Sequence, residues 1–327
     1  MIKEITVGKH RFKPVIAAPL SGVTDLPFRK KINSFLKNPY TISEMIASRA
    51  MIIETKDSLK KAMHEKEKEQ ISVVQLAGCD PSVMAEAAKL NEDLGADVID
   101  INYGCPIKKV VNGNAGSALM KQPELALKIV EAIVSAVKIP VTVKMRMGWD
   151  FANLNAPILG KQFEDAGIQM LTIHGRTRSQ IYEGVADWKF ISKVKSAVKI
   201  PVIANGDIKT FEDGLNAMKL SGADGIMIGR GVYGKPWIIQ DFLEFFEGKR
   251  DKPSEFSKEE IGKLALEQFI EMIEFYGEQT ASPLARKHLG WYSAGFAGSA
   301  IFRGKINMLN DANSIIEEIK HFFFQLD

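Results

Sequence analysis

The hexapeptide AVKIPV occurs twice, and each copy runs straight into a strand-like segment: AVKIPVTVKMR spans Ala136 to Arg146, and AVKIPVIANGD spans Ala197 to Asp207. Each reads as helix end, turn and strand, with proline at the first strand residue, where a missing N–H costs least. Between and around the copies lie segments of a second kind, GADVIDI from Gly95, GIQMLTI from Gly167 and GADGIMI from Gly222. Each opens on a glycine suited to a helix C-cap and continues as a short buried strand. Upstream, PVIAAPL from Pro14, YTISEM from Tyr40 and SVVQLAG from Ser72 bring the total to eight strands, with helical stretches such as Pro81 to Leu94, Pro123 to Val137 and Phe211 to Leu220 between them. Eight such alternations over roughly 250 residues suit a (β/α)8 TIM barrel, an α/β fold. A doubly wound sheet has the same spacing, which alone does not separate the two.

Within the strands the side chains alternate. VTVKMR sets Val141, Val143 and Met145 against Thr142, Lys144 and Arg146; LTIHGR sets Leu171 and Ile173 against Thr172, His174 and Arg176. A barrel strand turns its apolar set to the surrounding helices. Lys144 and His174 are therefore expected to look into the barrel mouth.

After Phe246 the pattern becomes wholly helical: SKEEIGKLALEQFIEMIEFYG, SPLARKHLGWYSAG and DANSIIEEIKHFFFQL. Ser257 with Glu260 reads as a capping box, and Ser282 with Pro283 as a second helix start. The expected division is a barrel over residues 1–246 and a C-terminal small all-helical domain over residues 247–327. Gln279 to Asn310 carries Arg286, Lys287, Arg303 and Lys305 and no acid at all, a candidate basic face beside Trp291, Tyr292 and Phe302.

The 327 residues are 46% hydrophobic and 25% charged, an ordinary globular balance that supplies ample core. Two cysteines, Cys79 and Cys105, are too few for a disulfide framework. With no signal-peptide pattern at MIKEITVGKHRF and no apolar run near the ~20 residues of a membrane helix, the expected location is the cytoplasm, without a membrane partner. A net charge of +3 is too small to argue for nucleic acid by itself. A monomer is expected.

Functional groups of such barrels gather where the strands end. The ends present Pro19 and Leu20, Glu44, Gln75, Asn102 with Cys105, Lys144, His174, Asn205 to Asp207, and Gly229 with Arg230. No close carboxylate pair stands out and no Cys or His cluster has metal-ligand spacing, so neither glycoside hydrolysis nor a metal centre is expected. ANGDI and IGRGVYGKPW follow the seventh and eighth strands, the usual phosphate site of the fold, which points to a phosphorylated cofactor. A flavin suits the remaining groups: Gln75 and first-loop backbone for the pyrimidine ring, Lys144 as the cation for its reduced anion. Cys79 reads as packing. Cys105, in a Gly-Cys-Pro loop past the fourth strand, reads as a thiol mostly protonated at neutral pH, and so as a proton donor.

APLSGVTDLPFR, VQLAG, DINYGCPIKKV, GSALM, VKMRMGW, IHGRTR, IANGDI and MIGRGVYGKPW together resemble, in order and spacing, the tRNA-dihydrouridine synthase family, most closely its bacterial B-type branch. The resemblance covers essentially the whole chain. It implies an FMN barrel with a helical tRNA-binding domain, reducing the C5=C6 bond of particular uridines at the expense of NADPH. It places Ala18, Pro19, Leu20, Gln75, Lys144, His174, Asn205, Gly206, Asp207, Gly229 and Arg230 on FMN, and makes Cys105 the acid that protonates C5 while hydride reaches C6. The family usually has methionine where Leu20 stands, a swap of similar volume. Ile107 and Tyr103 bear on fine substrate choice.

A uridine within folded tRNA must be extruded before reduction, at a cost that phosphate contacts offset. Asn102, Lys108, Lys109, Arg176, Arg178, Arg286, Lys287 and Arg303 are the candidate RNA contacts. A flavin barrel acting on a free pyrimidine would need no acid-free helical platform, and an RNA-binding module with a vestigial site would not keep Cys105, Lys144, His174 and Arg230 together. No GxGxxG follows a strand, so NADPH is expected to visit the flavin face rather than occupy a dinucleotide domain.

Overall fold

Both AVKIPV prolines stand immediately before a strand, and both strands belong to one closed sheet. The computed structural model describes residues 2–37, 39–64 and 71–324. Within them the eight barrel strands run parallel in chain order: β1 (Val15–Ala17), β2 (Tyr40–Ile42), β3 (Ile71–Ala77), β4 (Val98–Tyr103), β5 (Val141–Arg146), β6 (Leu171–His174), β7 (Val202–Asn205) and β8 (Gly225–Ile228), and a ninth, two-residue strand, Ile46–Ala47, also pairs with β3. Strand β8 pairs with β1, Met227 opposite Ile16, and β2 pairs with both β1 and β3, Thr41 lying opposite Ala17 and Ser72. The ring is closed, which an open doubly wound sheet is not.

Seven described helices of eight or more residues pack around the ring: α1 (Leu26–Asn33), α2 (Pro81–Asp93), α3 (Pro123–Ala136), α4 (Ala156–Asp165), α5 (Trp188–Ala197), α6 (Phe211–Ser221) and α7 (Ile238–Phe246). Asp25, Asp80, Asp187 and Thr210 cap four of them by accepting first-turn amides, satisfying donors that have no partner inside a helix. The outward strand residues Val141, Val143, Met145, Leu171 and Ile173 join Ile129, Ile133, Leu159 and Phe163 of the helices in one apolar cluster.

The barrel interior is divided. Its lower half is apolar: Ile16, Tyr40, Ile42, Val73, Val98, Met170, Ile203 and Met227 pack with Val7 and Phe12. The latter two come from an antiparallel hairpin, Ile5–Val7 with His10–Phe12, that packs into this inner cluster. The upper half is polar, because the period of two that aims apolar residues at the helices aims Gln75, Asp100, Asn102, Thr142 and Lys144 inward.

The last four described helices, α8 (Lys258–Tyr276), α9 (Glu278–Tyr292), α10 (Ser299–Met308) and α11 (Ala312–Phe324), surround their own cluster, which includes Phe269, Met272, Leu289, Phe302, Ile315 and Phe323. Ser257 and Glu260 form the expected capping box. The start of α9 differs from the sequence reading: the helix begins at Glu278 and runs through Ser282 and Pro283. Ala281, Ser282 and Ala285 are fully buried in this helical core, and that packing outweighs the one backbone hydrogen bond proline gives up. Residues 325 and 326, the end of the last expected helix, lie outside the described residues.

The two parts meet at the barrel mouth. Tyr276 donates its hydroxyl to Asp25 at 3.1 Å, Lys31 pairs with Glu267 at 2.8 Å, and Tyr233 stacks on Trp291 with ring centres 3.9 Å apart and planes 6° from parallel. No helix among the described residues is long and apolar enough to cross a membrane.

Candidate active site

A cleft of about 220 Å³ opens at the carboxyl ends of the strands. Its wall contains Cys105, Asn102, Arg176 and every residue expected on the cofactor, from Ala18, Pro19 and Leu20 just past β1 to Gly229 and Arg230 past β8. Sequence positions more than two hundred residues apart converge here because parallel strands end on one face.

The Gly104–Pro106 loop is held from two sides. The Oδ1 atom of Asn102 accepts the amides of Gly104 and Cys105, at 3.1 and 2.9 Å. The carbonyl of Cys105 accepts the amide and hydroxyl of Ser117, at 3.1 and 2.8 Å. Gly116, just before Ser117, has a φ of 61°, and a Cβ there would stand 2.9 Å from the Cys105 carbonyl oxygen. The GSALM segment therefore anchors the cysteine loop, and its glycine is required by close approach.

Burial raises the Cys105 thiol above its ordinary value, against the Ile107 amide and the charges of Arg146 and Lys144. The thiol is protonated at neutral pH. Lys144 is driven down to about 8, first by burial and then by Arg146, with Asp100 and Cys105 acting in the opposite sense. Among the described residues nothing makes a hydrogen bond or ion pair with its ammonium, an arrangement that suits an anion entering the cleft. Burial and four surrounding cations, Lys144, Arg146, Arg176 and Arg230, hold His174 well below its ordinary value, so its imidazole is neutral. At Gly229 an added Cβ would meet no protein atom within 4 Å, so the chain leaves open space there. The helical turn at Arg230–Val232 begins beside it with amides that have no intrahelical acceptor. These features fit a cofactor with an anionic ring at the barrel floor and a phosphate at the β7–β8 end.

Three residues outside the sequence-derived set belong to this site. Asp100 lies beneath it, bonded to Thr142 and Gln75 at 2.6 and 2.7 Å. Arg146 lines the cleft and donates to the carbonyls of Gly104 and Thr177, both at 2.7 Å. Tyr182 lines the cleft too, 52% exposed, with the guanidinium carbons of Arg230 and Arg146 at 5.6 and 5.9 Å from its ring centre. The strand period points to the first two, since Asp100 shares a face with Asn102 and Arg146 with Lys144. Tyr182 sits in a loop and carries no such signal.

The candidate RNA contacts divide. Lys108 and Lys109 are exposed on the short helix Lys108–Asn112. Arg286, Lys287 and Arg303 line a second cavity of about 550 Å³ together with Trp291. Arg178 is half-buried, its guanidinium 4.4 Å from the ring centre of Trp149. Arg176 lies in the cleft wall. It is 2% exposed, and its guanidinium donates to Asp207 at 2.6 Å, to the Gly184 carbonyl at 2.7 Å and to the Glu183 carbonyl at 3.0 Å. Position 176 lies just past the end of β6, and there it braces Asp207. Asn102 is likewise in the cleft wall, 8% exposed.

Against known proteins, the family described as dihydrouridine synthase (Dus) matches residues 15–325. A probable tRNA-dihydrouridine synthase of Rickettsia bellii is 53% identical over 309 residues, covering 94% of each chain. The tRNA-dihydrouridine synthase B of Pseudomonas aeruginosa is 41% identical over 309 residues, covering 94% of this chain and 92% of its own. Among solved structures, an old yellow enzyme homologue from Zymomonas mobilis aligns with a TM-score of 0.55 at 15% identity, over 78% of this chain and 94% of that one. The last likeness is one of fold.

Proposed function

The chain belongs to the dihydrouridine synthase family, in its B-type branch, and from that premise we propose that it reduces the C5=C6 bond of specific uridines in tRNA, with FMN bound in the barrel and NADPH as electron source. The observation that carries the proposal is the pairing, in one cleft, of a protonated thiol at Cys105 with a half-buried ammonium at Lys144 that has no hydrogen bond or ion pair among the described residues.

Ala18, Pro19, Leu20 and Gln75 border the flavin ring in this reading. Lys144 and His174 would hold the ring as well, and Asn205, Gly206, Asp207, Gly229 and Arg230 would hold the ribityl and phosphate groups. When bound and reduced, FMN supplies the hydride that uracil takes at C6. Cys105 gives its S–H proton to C5, and Arg146 and Lys144 stabilise the thiolate left behind until solvent returns a proton. Asn102 and Ser117 keep the loop in register for that transfer. The neutral His174 adds hydrogen-bonding capacity without a further charge.

The barrel over residues 1–246 forms the catalytic domain, and residues 247–327 the tRNA-binding domain. Arg286, Lys287 and Arg303 contact phosphates in the second cavity, Lys108, Lys109 and Arg178 contact them around the mouth, and Asn102 meets the extruded base inside the cleft. In this reading the working unit is a monomer acting on tRNA in the cytoplasm, with the cleft lined by residues of one chain.

The test is mass spectrometry of nucleosides from unmodified tRNA incubated with the protein, FMN and NADPH. A gain of two hydrogens on uridine is expected; tRNA left unchanged while NADPH is oxidised would overturn the assignment.

A further inference from the structure

Asp100 is 1% exposed and has no place in the cleft wall, yet it heads a chain of hydrogen bonds that ends on the catalytic loop. The Thr142 hydroxyl donates to its Oδ1 at 2.6 Å, and Nε2 of Gln75 donates to its Oδ2 at 2.7 Å. Oε1 of Gln75 accepts from Nδ2 of Asn102 at 2.7 Å. Oδ1 of Asn102 accepts from the amides of Gly104 and Cys105.

A side-chain amide can be turned either way, and each of the two here has an oxygen end and a nitrogen end of almost equal size. What decides between the ends is the Asp100 carboxylate: burial raises its pKa, the Thr142 and Gln75 donors and the charge of Lys144 oppose that, and as an ion it only accepts. It requires the nitrogen of Gln75, which leaves the oxygen of Gln75 facing Asn102. That oxygen requires the nitrogen of Asn102, which leaves the oxygen of Asn102 facing the amides of Gly104 and Cys105. With Asn102 reversed, two backbone N–H groups would face an NH2 group, and the loop would lose its inner anchor.

We propose that Asp100 is a positioning residue for Cys105, acting by setting the polarity of the Gln75 and Asn102 amides. In the low dielectric of the barrel interior a wrongly directed link is costly, so the setting is transmitted over both residues. The inference rests on Cys105 being the acid, but its test does not require the reaction.

The test is hydrogen exchange of the Gly104 and Cys105 amides in the cofactor-free protein, followed by mass spectrometry, in Asp100→Asn, in Asp100→Asn/Gln75→Glu and in Thr142→Val. Asparagine at 100 offers both a donor and an acceptor, so the barrel end no longer fixes the polarity and only the Gly104 and Cys105 amides select it. Exchange at 104 and 105 should then rise about fivefold or more, the scale of one missing hydrogen bond. Glutamate at 75 again only accepts, so Asn102 must again give its nitrogen to it, and wild-type exchange should return. Thr142→Val removes a donor while leaving the carboxylate in place, and should leave exchange at 104 and 105 unchanged.

Wild-type protection in Asp100→Asn, no recovery in the double variant, or a rise in Thr142→Val would each overturn the proposal. A counter-ion role towards Lys144 alone would leave those amides protected in every variant. If the single variant does not fold, the double variant and Thr142→Val still decide. Dihydrouridine formation by the wild-type protein reports separately on the function, so the two ideas fail in different experiments.

Discussion

The barrel mouth and the groove on the helical region both gather cations around a cavity, but they hold them differently. At the mouth, Lys144 is half-buried and has no hydrogen bond or ion pair among the described residues, and Arg146 donates to the carbonyls of Gly104 and Thr177. In the groove, Arg303 is exposed, and Arg286 spends one nitrogen on the Leu309 carbonyl and the Asn310 side chain, at 3.0 and 2.8 Å. Burying a cation is expensive, so a site that does so must recover the cost from an anion it binds. A hydrated surface cation costs little and contributes correspondingly little on its own. The mouth should therefore show large, specific losses on mutation, and the groove graded, salt-dependent ones.

Lys144→Met would separate the two most sharply. It removes the charge while nearly keeping the volume, and should weaken FMN binding by roughly 10–100-fold, the range of a charge-assisted hydrogen bond. Titrating the flavin fluorescence of the purified protein measures this. The same residue sets a pH dependence: Lys144 titrates at about 8 in the cofactor-free protein, so FMN affinity should fall as pH rises above that value. In Lys144→Met the dependence should vanish.

In the groove, Arg286→Ala combined with Arg303→Ala should weaken tRNA binding by about tenfold near physiological salt. The slope of log affinity against log salt should fall by about two, close to one for each phosphate no longer neutralised. The flavin spectrum should not change. An unaltered slope would remove the groove from the RNA path and leave the mouth alone in it.

The smallest effect lies at the junction. Burial raises the Asp25 carboxyl to about 6, the Phe28 amide opposing it, with a further push from Glu44. A carboxyl raised on folding favours the native state while it is protonated. That contribution is complete below about pH 4 and lost as pH rises through 6. Asp25→Asn should raise the melting temperature by roughly 2–4 °C at pH 7 and leave it unchanged at pH 4.

Much of this is legible in the sequence, for a physical reason. Strands alternate with a period of two and parallel strands end on one face, so Lys144, His174 and Asn205 can be placed in the mouth from spacing alone. The same period places Arg176 inward, but its charge suggests phosphate, and only the folded loop shows Asp207 and two carbonyls around it. Asp100 does not stand out along the chain because its partners, Thr142 and Gln75, lie on neighbouring strands. Pro283 misplaces the start of α9 because it is a local signal, whereas the packing of Ala281 and Ser282 is not. Helical surfaces have no shared end, and which groups line the groove emerges only from the packing of α9 against α10.

The central claim, that one cleft unites the flavin with its acid, is tested most directly with Cys105→Ala. Wild-type and variant proteins, each loaded with reduced FMN, are mixed anaerobically with unmodified tRNA while flavin absorbance is followed. The wild-type flavin should be reoxidised and uridine reduced, and the variant should be slower by about 10²–10⁴-fold, the range of general acid catalysis. Equal rates with equal dihydrouridine would contradict the account and take Cys105 out of the reaction.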